Sequence, residues 1–473
     1  MVAGWLLAAV ASPRAVVAEE GAQRQPQADL LRIIEQQQKV IDALQKRVET
    51  LEKRWEETHP KPEKPAPSDV THAHKDIFRN GFNVKFWGFL RGDLEADTRR
   101  MSFDAQLPFF VLSPADPSQT QRRTGEITFH PRLTRFGFDV NAPKLANGWQ
   151  AAAKLETDFF NAIIDRPAPA NPALPAGANN PFLARDLVSN SRAALRIRQA
   201  YVRVQKGDWH VLMGQAWDVV SPIFPSLNAD TVMWNAGNTA DRRPQIRIGY
   251  EPKRGKGQWS FVGMVGASGA VDGQDLDGDG FRDGEGASTP TIQARVGYAA
   301  PSRVPGQNWS VGIWGHTAHQ EVNRFTVPTA GGGTSFSSHL IGADMSLPLS
   351  SKLKLQGEIW TGKNLSDVRG GIGQGIDVPT GTEVSAKGGW IEASYKASAR
   401  YTFNVGTTLD QPDASDLTPA SARTRNSTLY LTNRYSFGNG LSMGFDWAYW
   451  KTKFKALPTG TNNRFTFFVQ QDF

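Results

Sequence analysis

The last ten residues restrict the fold more than any other stretch. From Arg464 to Phe473, apolar side chains recur at every second position: Phe465, Phe467, Val469 and, after a lapse at Gln471, Phe473. A period of two makes a strand with two unlike faces. No helical pattern lies nearby to cover the apolar face. Lipid would cover it, but an edge strand in hydrocarbon cannot leave its backbone N–H and C=O groups unpaired. The strand must therefore close a barrel, and the remaining chain must supply the other staves.

From residue 83 onward it does. Val84, Phe86, Leu90 and Leu94 share one face of the first segment, and Lys85, Arg91, Asp93 and Glu95 the other. Trp149, Leu155 and Phe159 oppose Lys154, Glu156 and Asp158; Ile246, Ile248 and Tyr250 oppose Arg243, Gln245 and Arg247. A wet face with charges of both signs suits a water-filled lumen. The pattern predicts about sixteen strands between 83–95 and 464–473, an even number as closed bacterial barrels require. The second strand is expected at 132–140. The fourth, 195–204, changes face near Gln199, which predicts a bulge.

The connections support the same reading. Long ones (96–131, 160–194, 217–242, 267–290 and onward) alternate with short ones (141–148, 205–208, 252–256 and onward). Outer-membrane barrels have short periplasmic turns and long external loops. Both chain ends then lie on the periplasmic side. A water-soluble all-β protein, which the alternation also permits, has no reason to segregate loop lengths. No apolar run reaches the ~18 residues of a membrane helix, a test that barrels escape. The absence of cysteine suits an oxidising compartment. The net charge of +7 leans towards anionic partners, and no dense Lys/Arg block points to nucleic acid.

The sequence ahead of the barrel divides into three. Residues 1–18 have an apolar run and a small-residue site at Val16-Val17-Ala18, as in a secretory signal, without its basic start. Residues 29–56 repeat in heptads, with Ile34, Ile41, Val48 and Trp55 at a and Leu30, Gln37, Leu44 and Leu51 at d. This predicts a self-associating periplasmic coiled coil, roughly 40 Å long at 1.5 Å per residue. Residues 57–82 form a Pro-rich, charged linker, and 83–473 the barrel.

Three groups of residues bear on function. Arg91, Arg135, Arg196, Arg198, Arg243 and Arg247 fall on the lumen face, with Arg242 at the mouth. Rings of fixed positive charge in a narrow wall favour anions; pairing with Asp93, Asp139 or Glu156 would merely brace the wall. The loop 217–242, with Trp217, Asp218, Phe224 and Trp234, is too apolar for an exposed connection, so it is expected to fold inward and narrow the pore, or to pack on a neighbouring subunit. Asp275, Asp277, Asp279 and Asp283, with Gly280 at the turn, resemble oxygen-rich Ca²⁺ loops, although Glu285 falls one residue short of the EF-hand position. A solvated acidic loop is the alternative. The strings GLSMG (440–444) and GEIWTGKN (357–364) lack the strand–turn–helix context of a nucleophile elbow or P-loop, so catalysis is not expected.

The runs FHPRLTRFGFDV, AKLETDFF, LRIRQAYVRV, WHVLMGQAWDVVSP and RRPQIRIGY, with the coil and the closing Phe473, resemble the DcaP-like outer-membrane porins. The resemblance is fullest over 30–56 and 83–250. It implies a sixteen-stranded all-β barrel, a homotrimer held by the coil, and no required cofactor. It implies lipid and lipopolysaccharide around the barrel, the barrel-assembly machinery as partner, and small anionic solutes such as dicarboxylates as cargo. Arg196 and Arg198 match the family's fourth-strand pair, and Arg243 and Arg247 its RQPQIR-like motif. The acidic loop has no counterpart in the resemblance. A phosphate- or sugar-specific pore and a structural tether to the cell wall are the competing expectations.

Overall fold

The structure is a computed structural model. It describes residues 81–102, 108–116, 125–160, 195–227, 231–276, 282–322 and 334–473, with Lys46 alone before them. The signal, the heptad positions and the linker to residue 80 lie outside the described residues.

Sixteen antiparallel strands form one closed sheet. They are β1 (Asn83–Asp97), β2 (Glu126–His130 and Arg135–Asn141), β3 (Gln150–Asp158), β4 (Arg196–Lys206), β5 (Trp209–Trp217), β6 (Arg242–Tyr250), β7 (Gly257–Gly266) and β8 (Thr291–Pro301). Then come β9 (Asn308–Glu321), β10 (Ser335–Pro348), β11 (Leu353–Lys363), β12 (Ser385–Lys396), β13 (Tyr401–Pro412), β14 (Arg423–Gly438), β15 (Leu441–Phe454) and β16 (Gly460–Asp472). Each strand pairs with its sequence neighbours, and β16 returns to β1 from Phe89↔Asp472 to Asp97↔Arg464. The final strand therefore closes the barrel, which abolishes free edges.

The expected second strand starts too late. It is split, and its first piece precedes the predicted 132–140. Pro131 has no N–H to donate, and the ladder breaks there. Thr134 patches the gap: its hydroxyl accepts from Arg91 N at 3.0 Å and donates to Arg91 O at 3.1 Å. The bulge in β4 is present. Glu156 pairs with Gln199 and Thr157 with Ile197, so Arg198 is the extra residue. Exposed side chains then change parity along β4, from Ile197 to Val202.

The burial pattern is inside-out relative to a soluble protein. Ile127, Phe129, Met213, Ile313, Ile341 and Ile359 are exposed by more than 60%, whereas Glu95, Glu156, Asp158, Glu358, Glu392 and Asp410 on the opposite faces are buried. Such an exterior is stable only against hydrocarbon. The cores that do exist are inside the barrel. One joins Met101, Val111, Leu227, Met233 and Ala236 from the connections to Tyr430, Ala448 and Trp450 on the wall.

Candidate functional site: the lumen and its inner loops

The β5–β6 connection runs into the barrel and across to the strands opposite. At its neck, Asp218 N donates to Asp241 O at 2.8 Å. Its first limb is held by two wall glutamates. Glu358 on β11 accepts from Ser221 Oγ and from Ile223 N at 3.1 Å. Glu392 on β12 accepts from Ser226 N and Oγ at 2.7 and 2.8 Å and from the Tyr430 hydroxyl at 2.9 Å. The return limb is tied by Trp360 Nε1 to Gly237 O at 2.7 Å and by Asn426 Nδ2 to Asn235 O at 2.9 Å. Ser221, Val232, Met233, Asn235 and Ala240 all have positive φ between 44° and 69°. A β-branched Val232 there is strained, and the wall contacts keep it so.

Trp217, Phe224 and Trp234, the three aromatic residues expected to narrow the pore, lie together. The Trp217 ring is 4.7 Å from Phe224 and 6.3 Å from Trp234. Asp218 instead fastens Arg243. That guanidinium has no solvent-accessible side-chain surface and donates to Asp218 at 2.7 and 3.1 Å, to Asp367 Oδ2 and O at 2.7 Å each, and to Ala267 O at 3.1 Å. Three connections meet on this one side chain, so Arg243 is a fastener behind the loops rather than a surface of the pore.

The other arginines divide by partner. Arg91 is paired with Asp93 at 2.9 Å and lies 3.5 Å from the Phe468 ring centre. Arg247 donates to Gln245 Oε1 and Trp217 O; among the described residues no carboxylate is within ion-pair distance of it. Arg135, Arg196, Arg198 and Arg242 form a group with Arg369 from the β11–β12 connection. Arg135 is 3.5 Å from Glu156, Arg196 2.7 Å from Asp158, and Arg198 2.5 Å from Glu156 and 2.8 Å from Asp158. Arg242 and Arg369 share Asp241, each at 3.0 Å. Five guanidiniums thus draw on three carboxylates. The side chains of Arg135 and Arg196 remain 27% exposed, to lumen water. Aromatic faces supply further contact: Arg242 lies 4.5 Å over Trp217, Arg369 5.0 Å over Trp234 and Arg196 4.7 Å over Phe160.

Burial works against ionising Asp241, but Arg242 and then Arg369 outweigh it and hold this loop carboxyl below the usual carboxylate range. It remains an anion, and the local excess of positive charge is set by arginines that cannot be deprotonated.

Of the acidic-loop residues, Asp277 and Asp279 lie outside the described residues. Asp275 is exposed, and the Asp283 carboxylate accepts from Leu276 N at 3.1 and 3.3 Å. Among the described residues, no cluster of three or more His, Cys, Asp or Glu could hold a metal ion. GLSMG runs from Gly440 of the short turn into the start of β15, and GEIWTGKN lies mostly within β11 and is followed by a single 3-10 turn at Ser366–Val368, so neither string leads into an α-helix.

Sequence reasoning passed over Glu358, Glu392, Tyr430 and Arg369. The two glutamates were visible as lumen-facing, since Ile359 and Ile391 beside them face outward. Their partners in the inner loop, more than 130 residues away in the chain, were not.

A closed sixteen-stranded barrel with an apolar exterior and a charged, loop-filled interior defines a membrane-spanning barrel of porin-like fold. No family model matches the sequence, and no curated protein does. Among solved structures, the outer-membrane channel DcaP of Acinetobacter baumannii shares the fold at a TM-score of 0.59 with 16% identity, over 83% of this chain and 97% of that one. An anion-selective porin from Comamonas acidovorans matches at 0.50 with 13% identity, over 83% and 100%. The resemblance to DcaP-like porins drawn from the sequence holds at the level of the fold.

Proposed function

We propose that this chain is a passive outer-membrane diffusion channel for small hydrophilic solutes, with a preference for anions such as dicarboxylates. The observation that carries the reading is the arginine group facing the lumen, five cations on three carboxylates. In a confined, partly desolvated wall, uncompensated charge raises the local concentration of counter-ions. The inner loop, with Trp217, Phe224 and Trp234, restricts the cross-section beside that group. Transport of this kind uses a gradient and needs neither catalysis nor cofactor. The chain acts as a homotrimer, with residues 29–56 coiled in the periplasm, in a bilayer of phospholipid and lipopolysaccharide reached through the barrel-assembly machinery. A lysine-rich lumen would favour a phosphate-specific pore; the lining here is dominated by arginine. Ca²⁺ binding by Asp275, Asp277, Asp279 and Asp283 is a subsidiary proposal, testable by Ca²⁺-dependent protection of the loop from protease. The decisive measurement is the reversal potential of single channels in asymmetric KCl. Its sign should report anion selectivity; a cation-selective potential would overturn the reading.

A further inference from the structure

The two ends of the barrel carry opposite charge. The seven short turns, from 142–149 to 439–440, hold seven Lys and Arg against two carboxylates, Asp208 and Glu251. The eight long connections hold eleven Lys and Arg against eighteen Asp and Glu. All seven basic turn residues are exposed, and none of them is ion-paired to a described residue. The densest set is Lys253, Arg254 and Lys256, on a hairpin extension pinned by Lys253↔Gln258 and Arg254↔Gly257. The acid beside them, Glu251, faces Arg203 at 4.0 Å and His210 at 3.8 Å instead.

Next to this hairpin, the outer surface carries a chain of six aromatic rings across β5–β9. Trp209 stacks on Tyr250 at 4.5 Å, Tyr250 on Phe261 at 6.3 Å, and Phe261 on Trp259 at 5.8 Å. Tyr298 lies 4.9 Å from Trp259 and 5.5 Å from Trp309. Aromatic rings of this kind settle at the boundary between acyl chains and headgroups. They fix the depth of the barrel, and so place the cations one turn further out, at the level of lipid phosphate. Long basic side chains keep their stems on apolar surface and extend their charge to that level.

We propose that this sector, the short-turn rim of β5–β9, is a binding surface for anionic phospholipid headgroups of the adjoining leaflet. Charge complementarity selects the lipid, since unpaired cations at phosphate depth attract an anionic headgroup over a zwitterionic one and salt weakens the attraction. An anionic cell-wall polymer would also meet these cations, but would make no use of six rings at membrane depth. The proposal needs the barrel to cross a bilayer and does not depend on conduction, so its failure would leave the channel reading intact.

The test uses full-length protein reconstituted in vesicles of phosphatidylcholine and phosphatidylglycerol, with each lipid spin-labelled in turn. The fraction of motionally restricted label gives the relative association of the two lipids. Wild type should favour phosphatidylglycerol by roughly threefold or more at low salt, and less at high salt. The K253Q/R254Q/K256Q variant, in an exposed turn outside the barrel wall, should lose most of that preference. The R282Q variant, at the opposite end, should keep it. Heat-modifiable gel migration verifies that each barrel is folded. Equal association of both lipids with wild type, or an unchanged preference in the triple variant, overturns the proposal. Retention of purified cell-wall glycan by the same cations without any lipid preference would replace it with a polymer partner.

Discussion

Replacing Arg243 by methionine should release the inner loops while leaving the barrel closed. The side chains of Arg243 and Asp218 have no exposed surface, and that of Asp367 has 3%. Methionine fills similar volume but leaves two buried carboxylates without their cation. Breaking a buried pair in this way costs about 3–5 kcal/mol. At 1.36 kcal/mol per tenfold change, the released state gains roughly two to nearly four powers of ten in population. The β5–β6 and β11–β12 connections and the segment after β7 should loosen together, because all three converge on this guanidinium. Limited proteolysis of the detergent-solubilised protein should cut near 231–241 and 364–375 in R243M and spare both in wild type. Single-channel records should become noisier at unchanged heat-modifiable migration. The R243M/D218N/D367N variant removes every charge of the cluster and should recover most of the protection, since neutral replacement of a buried ion cluster is often tolerated. Wild-type protease resistance in R243M, or no recovery in the triple variant, would refute the fastener argument.

Four further outcomes follow from the same geometry. In R196Q/R198Q the group falls from five cations to three against three carboxylates; a charge about 8 Å away is worth ~2 kcal/mol at an effective dielectric near 20, before salt screening, so the anion-over-cation permeability ratio should drop severalfold, and an unchanged reversal potential would count against the lumen assignment. Gly237 has φ +123°, and a Cβ there would stand 2.5 Å from Gly389 O; G237A, at ~1–3 kcal/mol of backbone strain plus the clash, should push the loop off the wall and lower single-channel conductance. The Asp241 carboxyl sits below its unfolded value, held there by Arg242 and Arg369 against the cost of burial, so its contribution is complete above the ordinary carboxylate value of about 4 and is lost as pH falls through the depressed folded value; the loops should be protease-resistant at pH 6 and increasingly cut at pH 3, and equal resistance at both would contradict this. Deleting residues 19–70 should leave a folded barrel, and the proposed trimer should dissociate at lower detergent or temperature, measured by size-exclusion chromatography with light scattering; unchanged uptake with weakened envelope attachment would favour the tether role.

The barrel was legible because its signal is local and repeated. Period-two alternation needs only one strand at a time, and the long–short order of connections shows which end each belongs to. The split in β2 was not legible, because Pro131 cuts a ladder whose repair depends on Thr134 reaching Arg91 on another strand. The arginines were legible as lumen-facing, but alternation cannot say what stands between a side chain and the water. Arg243 and Arg196 share the same sequence credentials. One is sealed behind three connections and the other is open, and the difference lies in pairings such as Asp367 with Arg243, 124 residues apart. The apolar character of the β5–β6 loop marked it as more than an exposed connection but left an inward course and a subunit contact both open, and the two glutamates that anchor it inside were hidden by the same long range.

The extra residue at Arg198 has a consequence for how this wall can change. Side-chain direction alternates strictly along a regular strand, so excising one residue from β4 anywhere but at the bulge would turn one half of it over. Either the Arg196–Arg198 pair would then project into hydrocarbon, or Val202 and its outward companions would be drowned in the channel. Only the loss of Arg198 or Gln199, the two residues that share Glu156, would leave a regular stave. The two solvents therefore confine any change in length to that one place, where it would remove either an arginine of the lumen group or the glutamine bound to Glu156; elsewhere along the strand, side chains can vary in identity far more readily than in number.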